Sequence, residues 1–343
     1  MFRIGLTRDF LNPDGTVGLG DIGLGLLEGK PGIEHEFLAE NTRELRADQI
    51  RGYDALAVLA PRVSAATLEG ADRLAVIARY GVGYDSVDVP ACTAHGVALT
   101  ITPDGVRRPV ALVVMTFILA LAHRLFEQDR AIRAGEGWSR KLELMGYGLT
   151  GKKLGLIGLG NIGGEVVRLA KPLDLVPIAY DPYVDPARAA ELGVELVDLD
   201  TLLATADFAV VLCALTPETR HLLDAERLAL MKPTAFLINT ARGPIVDQAA
   251  LTEALRERRI RGAALDVFEQ EPIDAGDPLL ALDNVIATPH ALCWTDEWAY
   301  ITGQSAMESM LAIAAGNVPR YVVNKEVVDV PAFQEKLRRF RNG

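Results

Sequence analysis

A chain of 343 residues has room for about two domains of ordinary size. Half of its residues are hydrophobic and 24% are charged, a soluble balance that can bury two cores. Its 35 Lys and Arg stand against 46 Asp and Glu, and the net charge of −11 disfavours nonspecific attraction to nucleic-acid or membrane phosphates. The three cysteines, Cys92, Cys213 and Cys293, are odd in number and far apart. That excludes a fully paired disulfide framework and any CxxC zinc spacing, and no metal is expected.

The opening MFRIGLTRDF lacks an apolar signal core and reads as a first strand, so the expected location is the cytoplasm. Short apolar or β-branched runs then alternate with helical patterns along the chain. Strands are predicted at 3–6, 55–59, 75–77, 153–157, 176–180, 208–212, 235–239, 262–265 and 285–287. Helices are predicted at 109–124, 162–173, 200–205, 225–230, 248–258 and 296–315. This alternation implies parallel sheets covered by helices. The longest apolar run, 110–122, is too short to span a bilayer and reads as a buried helix. The stretch 133–151, with its glycines and mixed charges, reads as a connection into a new βαβ unit, and 321–324 as a short strand.

The strongest motif, Gly158-Leu-Gly160-Asn-Ile-Gly163, lies near the middle of the chain. It follows the apolar strand 153–157, opens the helical pattern 162–173, and precedes Asp181 by 21 residues counted from Gly160. Each glycine has a mechanical role in a dinucleotide fingerprint: a tight turn, close backbone approach to the pyrophosphate, and helix–strand contact. The helix start offers free N–H groups to phosphates. Asp181 would accept hydrogen bonds from ribose hydroxyls and repel a 2′-phosphate, and its neighbours Pro182 and Tyr183 supply no cation, so NAD is favoured over NADP. About a hundred residues of other α/β structure precede the nucleotide fold. The first domain is therefore expected to be discontinuous, left near residue 102 and re-entered around 297.

Three further segments follow strand-like runs: Asn239-Thr-Ala-Arg242-Gly243, Leu265-Asp266-Val-Phe-Glu-Gln-Glu271 and Thr288-Pro-His290. Loops beyond the carboxyl ends of parallel strands converge on one crevice. Reduction of a 2-keto acid needs a hydride at the carbonyl carbon and a proton at its oxygen. Histidine is the natural proton donor near neutrality, here His290, and a carboxylate beside it, Glu271, would stabilise the imidazolium. A guanidinium such as Arg242 fits a substrate carboxylate in bidentate fashion. Asp266 would support the nicotinamide end or the Arg–His pair. Singly, such residues are ordinary surface groups; their joint order behind the fingerprint is what carries the reading. The other histidines (His35, His95, His123 and His221) lie in less suggestive settings, and His123, ending an apolar helix, reads as structural.

At these residues the chain resembles the D-isomer-specific 2-hydroxyacid dehydrogenase family. The likeness runs from about residue 50 to about 325, and its most specific stretches are 149–163, 231–247, 262–272 and 288–290. The resemblance implies two Rossmann-like, doubly wound α/β domains: a flavodoxin-like substrate domain of residues 1–102 and 298–343, and an NAD-binding domain of 103–297. It places Arg242, Glu271 and His290 on the family's catalytic positions. Gly158, Gly160, Asn161, Ile162, Gly163, Asp181, Cys213, Thr219, Thr240, Ala241 and Asp266 fall on its cofactor contacts. Arg79-Tyr-Gly81-Val82-Gly83 is similar to the family's substrate loop, so Val82 and Gly83, with Arg242 and His290, would hold substrate. A homodimer is implied, with 109–124 and 133–147 as its interface, as is closure between the domains.

Three departures bear on the substrate. Val106 and Leu112 replace a usual Asn and Glu, and Arg107 and Arg108 are added; these arginines either read a second anionic group or simply begin a surface helix. Ala214 replaces a usual proline. Trp294 stands where small residues are common after the histidine. The alternative reading is an NAD-sensing, corepressor-like binding protein on the same fold, without significant turnover. A formate dehydrogenase is disfavoured, since oxidising formate releases no hydroxyl proton and needs no His–Glu pair.

Overall fold

The computed structural model describes residues 1–341. In chain order, β1 (Phe2–Leu6), β2 (Ile33–Phe37), α1 (Ala47–Ile50), β3 (Ala55–Val58), β4 (Val76–Arg79), α2 (Val89–Ala94) and β5 (Ala98–Thr100) come first. The long helix α3 (Pro103–Ala122) leads through α4 (Leu125–Arg133) and α5 (Gly137–Arg140) to β6 (Lys153–Ile157). Then follow α6 (Asn161–Ala170), β7 (Val176–Tyr180), α7 (Pro186–Leu192), β8 (Glu195–Leu196), α8 (Leu199–Thr205) and β9 (Phe208–Val211). The chain continues with α9 (Ala225–Leu228), β10 (Phe236–Asn239), α10 (Gln248–Arg256), β11 (Gly262–Leu265), β12 (Val285–Ala287), α11 (Asp296–Ala314) and α12 (Pro331–Arg341). It divides into two compact units, one of Met1–Val106 with Trp294–Gly343 and the other of Arg107–Cys293.

In the first unit the sheet order is β2-β1-β3-β4-β5, and every strand pair is parallel. This is the flavodoxin-like doubly wound order. Leu56, Val58, Ile77 and Leu99 pack one face against Ile50 of α1 and Ala91 and Cys92 of α2, and α11 lies along β3 and β4. In the second unit the order is β12-β11-β10-β9-β6-β7-β8, again all parallel. The chain starts in the middle, winds outward through β7 and β8, then returns to build β9 to β12 on the other side. Alternate residues feed two cores, as a sheet buried on both faces requires. Leu154, Leu156, Val210 and Ile238 join α3, α6 and α7 on one side, while Ile157, Ala209, Val211 and Leu237 join α8, α9 and α10 on the other. Each of these Val, Leu and Ile side chains contributes roughly 1.5–3 kcal/mol by leaving water.

Several expected bounds shift for identifiable reasons. Helix α3 begins six residues earlier than the predicted start at 109. Pro103 takes its first position, where a missing N–H costs nothing, and Pro109 is accommodated inside, buried. By length and composition α3 could cross a membrane, yet 67% of its apolar window is buried within the fold. The segment 321–324 is not a strand: Val322 makes one antiparallel bridge to Thr100. Asn324 holds it instead, donating to Val97 O and Thr93 Oγ1 and accepting from the Leu99 amide. The short helix α5 lies inside the expected connection 133–151.

Gly105, in the first turn of α3, faces α11 so closely that a Cβ there would stand 2.5 Å from the Thr302 amide nitrogen. Gly105→Ala is therefore expected to cost about 1–3 kcal/mol through overpacking, read as a lowered melting temperature; an unchanged melt would show that the contact yields.

Candidate active site

The loops after β10, β11 and β12 leave the carboxyl ends of three adjacent parallel strands. They carry Arg242, Asp266 with Glu271, and His290 respectively. His290 Nδ1 lies 2.8 Å from Glu271 Oε2. A carboxylate only accepts, so Nδ1 carries the proton in that bond and Nε2 is the ring nitrogen left for other chemistry. The two side chains keep 41% and 38% of their surface accessible, so a small molecule can reach them.

His290 sits in left-handed backbone, φ 55°, a conformation a non-glycine residue adopts only when its surroundings enforce it. Asp266 does so: its Oδ1 accepts from Thr288 Oγ1 at 2.6 Å and from the Leu292 amide at 3.4 Å, tying both sides of the turn. Asp266 is itself buried. Glu271 is oriented by the Phe268 amide, which donates to Oε1 at 3.0 Å. Burial pushes its carboxyl up, but the hydrogen bond and charge of His290, the Phe268 amide and the Arg242 charge outweigh that and hold it below its ordinary value.

Arg242 follows a loop shaped by Asn239, whose amide donates to Arg242 O at 2.9 Å while its oxygen accepts from the Ala241 amide at 3.0 Å. Arg242 Nη1 donates to Ala241 O at 2.7 Å. Next to it, Gly243 lies directly on the neighbouring loop: a Cβ there would stand 1.9 Å from the Phe268 carbonyl. The Arg242 and Glu271 loops are thus pressed together. Asn239, Thr288 and Gly243 stand in the motif segments without an assigned role, although an Asn closing a strand and a Thr before Pro-His are both turn-forming signals.

On the same sheet edge, Gly158 (φ 104°) turns between β6 and α6, where a Cβ would meet the Cys213 amide nitrogen at 2.8 Å. Gly163 packs equally tightly on Gly158 O, whereas a Cβ on Gly160 would meet open space. Helix α6 starts at Asn161, followed by Ile162, and has no side-chain cap among the described residues, so its first-turn N–H groups remain available to a pyrophosphate. These features fit a dinucleotide. Asp181 already accepts from the amides of Leu159, Tyr183 and Val184, which fixes its carboxylate at the strand end with acceptor capacity left for a ribose. Cys213 lies beside the glycine turn, its thiol pushed up to about 11 by burial and hence neutral. Thr219 Oγ1 bonds Ala214 O. Thr240, next to Ala241, has a buried hydroxyl without a partner among the described residues.

Val82 and Gly83 belong to the first unit, in a half-buried loop after β4 whose Gly81 amide is held by Thr102 Oγ1 at 2.8 Å. Arg107 and Arg108 lie inside α3 rather than at its start. Arg108 bonds Glu165 at 2.9 Å. The bonds from Arg168 and Arg108 hold the Glu165 carboxyl at about 2, against the upward push of its burial. Trp294, also in the first unit, stacks on Trp298 with centroids 5.3 Å apart.

If Asp181 faces the ribose, Asp181→Ala should weaken NADH binding and narrow the preference for NADH over NADPH in fluorescence titration. An unchanged ratio would remove it from the nucleotide site.

The family model for the D-isomer specific 2-hydroxyacid dehydrogenase NAD binding domain matches residues 115–291, just over half of the chain. Over 302 residues the chain is 39% identical to a glyoxylate reductase of Korarchaeum cryptofilum, covering 86% of this chain and 91% of that protein. Over 310 residues it is 41% identical to a D-3-phosphoglycerate dehydrogenase of Methanocaldococcus jannaschii, covering 90% of this chain but 58% of that longer one. Among solved structures, the TT0316 protein of Thermus thermophilus aligns with a TM-score of 0.81 at 33% identity, covering 94% of this chain and 100% of that one. D-lactate dehydrogenase from Aquifex aeolicus, complexed with NAD and lactic acid, gives 0.80 at 26% identity, covering 92% of this chain and 96% of that one. On this fold, this glycine turn and these relatives, the chain belongs to the D-isomer specific 2-hydroxyacid dehydrogenase family and is an NAD-dependent oxidoreductase.

Proposed function

We propose that the protein interconverts a small 2-keto acid and its D-2-hydroxyacid, with glyoxylate as the first substrate to test. The observation that carries the reading is the Glu271–His290 hydrogen bond beside Arg242. Bound NADH supplies the hydride to the carbonyl carbon. Arg242 pairs with the substrate carboxylate and polarises the adjacent carbonyl. His290, with Nδ1 engaged by Glu271, presents Nε2–H to the carbonyl oxygen and delivers the proton. Glu271, held ionised, stabilises the imidazolium before the transfer and fixes the ring after it. In the reverse direction His290 takes the hydroxyl proton. Asp266 maintains the turn that aims His290.

The high coverage of relatives named glyoxylate reductase supports a compact substrate. Arg108 is engaged by Glu165, a carboxylate it shares with Arg168, and so adds no support for a second anionic group. The NAD-sensing alternative draws no support from the relatives.

The reading includes a homodimer, supported by apolar side chains left open in the second unit: Trp138 is 79%, Leu142 83% and Met145 73% exposed. Light scattering should give twice the chain mass, and Leu142→Ser with Trp138→Ser should shift it to the monomer; a wild-type monomer would contradict the assembly.

Turnover is followed by loss of NADH absorbance with glyoxylate, pyruvate, hydroxypyruvate and its phosphate. Activity on at least one is expected, and His290→Ala should lower kcat roughly 10²–10⁴-fold while NADH affinity changes little. Inactivity of the wild type with every acid, NADH still binding, would overturn the reading.

A further inference from the structure

A second imidazole–carboxylate pair lies in the same unit, outside the residues assigned so far. His221 Nε2 is 2.5 Å from Glu269 Oε1, across 48 residues of sequence. Glu269 stands two residues before Glu271, and its amide donates to Gln248 Oε1 at 3.1 Å. His221 is in left-handed backbone, φ 50°, and its amide donates to Pro244 O at 2.8 Å. From there Leu223 runs alongside Val246, in a parallel bridge. Gly243, between Arg242 and Pro244, lies against the Phe268–Glu269 backbone, where a Cβ would stand 2.4 Å from the Glu269 amide nitrogen.

Three segments are therefore stacked: 221–223, 242–246 and 268–271. His221 grips both of the others, the middle one through its main chain and the outer one through its ring. We propose that His221 and Glu269 are positioning residues, a clamp that fixes the spacing between Arg242 and Glu271 without touching substrate. The inference rests on the roles proposed above for Arg242, Glu271 and His290. Its physical basis is leverage. Phe268 N–H orients Glu271, and Phe268 is the residue pinned between Gly243 and the Glu269–His221 bond. Releasing Glu269 frees the backbone that aims the carboxylate, and small displacements of reacting groups are costly to rate. The left-handed backbone of His221 fits this account, because an enforced conformation persists only where several bonds over-determine it.

The test compares wild type with Glu269→Ala, Glu269→Gln, His221→Asn and the Glu269→Ala/His221→Asn double variant. Asparagine tolerates the left-handed backbone but is too short to reach Glu269. Glutamine keeps an oxygen that accepts from Nε2–H. Two readouts are taken on each protein: kcat and KM for the keto acid and for NADH, and amide exchange of residues 266–272. Glu269→Ala and His221→Asn should each lower kcat about tenfold with NADH affinity unchanged, and the double variant should be no worse than either. Exchange of the Phe268 amide should quicken in Glu269→Ala and stay near wild type in Glu269→Gln, which should also recover most of the kcat.

Wild-type kcat and exchange in Glu269→Ala would overturn the clamp, as would losses equally large in Glu269→Gln. If the wild type itself reduces no keto acid, the functional reading fails, and the exchange comparison decides the clamp on its own.

Discussion

The hydrogen bond between His290 Nδ1 and Glu271 Oε2 is the contact on which the rest of the site depends, because it decides which ring nitrogen is free. An imidazole can present either nitrogen, and only an acceptor at one side settles the tautomer. Glu271 supplies that acceptor while remaining ionised, since its bonds and neighbouring charges outweigh its burial. Much of the nearby structure serves the same end. Asp266 is buried so that it can bridge Thr288 and Leu292 around a backbone turn that His290 would not otherwise adopt. Gly243 is glycine because the Arg242 loop must lie on the Phe268 carbonyl with no Cβ between them.

These contacts exist because of the sheet. Parallel strands all deliver their chain to the same edge, and β10, β11 and β12 are neighbours, so residues far apart in sequence meet within one small region. The glycine turn after β6 lies on that edge too, at the place where the winding reverses between β6 and β9. Crevices arise at such reversals for a simple reason: the loops on either side depart in opposite directions and leave room for a ligand. The glycine turn and the His290–Glu271 pair are therefore products of one topology.

Much of this was legible in the sequence, and the parts that were not share a physical cause. Strands buried on both faces read as continuous apolar runs, and 153–157 and 262–265 coincide with β6 and β11; the apolar runs 176–180 and 285–287 coincide with the more exposed β7 and β12. Strand β2 was missed because it is an edge strand whose Glu34 and Glu36 are exposed, so it reads as polar. Strand β8 is only two residues long and offers no periodicity to detect. The site followed the same rule. Arg242, Glu271 and His290, grouped by residue types that suit one reaction in order behind a fingerprint, lie on the loops of three neighbouring strands. Asn239 and Thr288 act through backbone amides and a neighbouring carboxylate, which no composition reveals. The partner of His221 lies 48 residues away, and only the packing of three loops brings it within reach.

The central claim is that His290 and Glu271 act as one unit, with the imidazole moving the proton and the carboxylate serving it. A double-variant cycle on kcat for keto-acid reduction tests this most directly, using His290→Ala, Glu271→Gln and the two combined. Residues that work as a unit lose their effect together, so the account predicts that Glu271→Gln is damaging alone but adds nothing once His290 is gone. Losses that multiply in the double variant would mean that Glu271 acts independently of the histidine, and would contradict the mechanism.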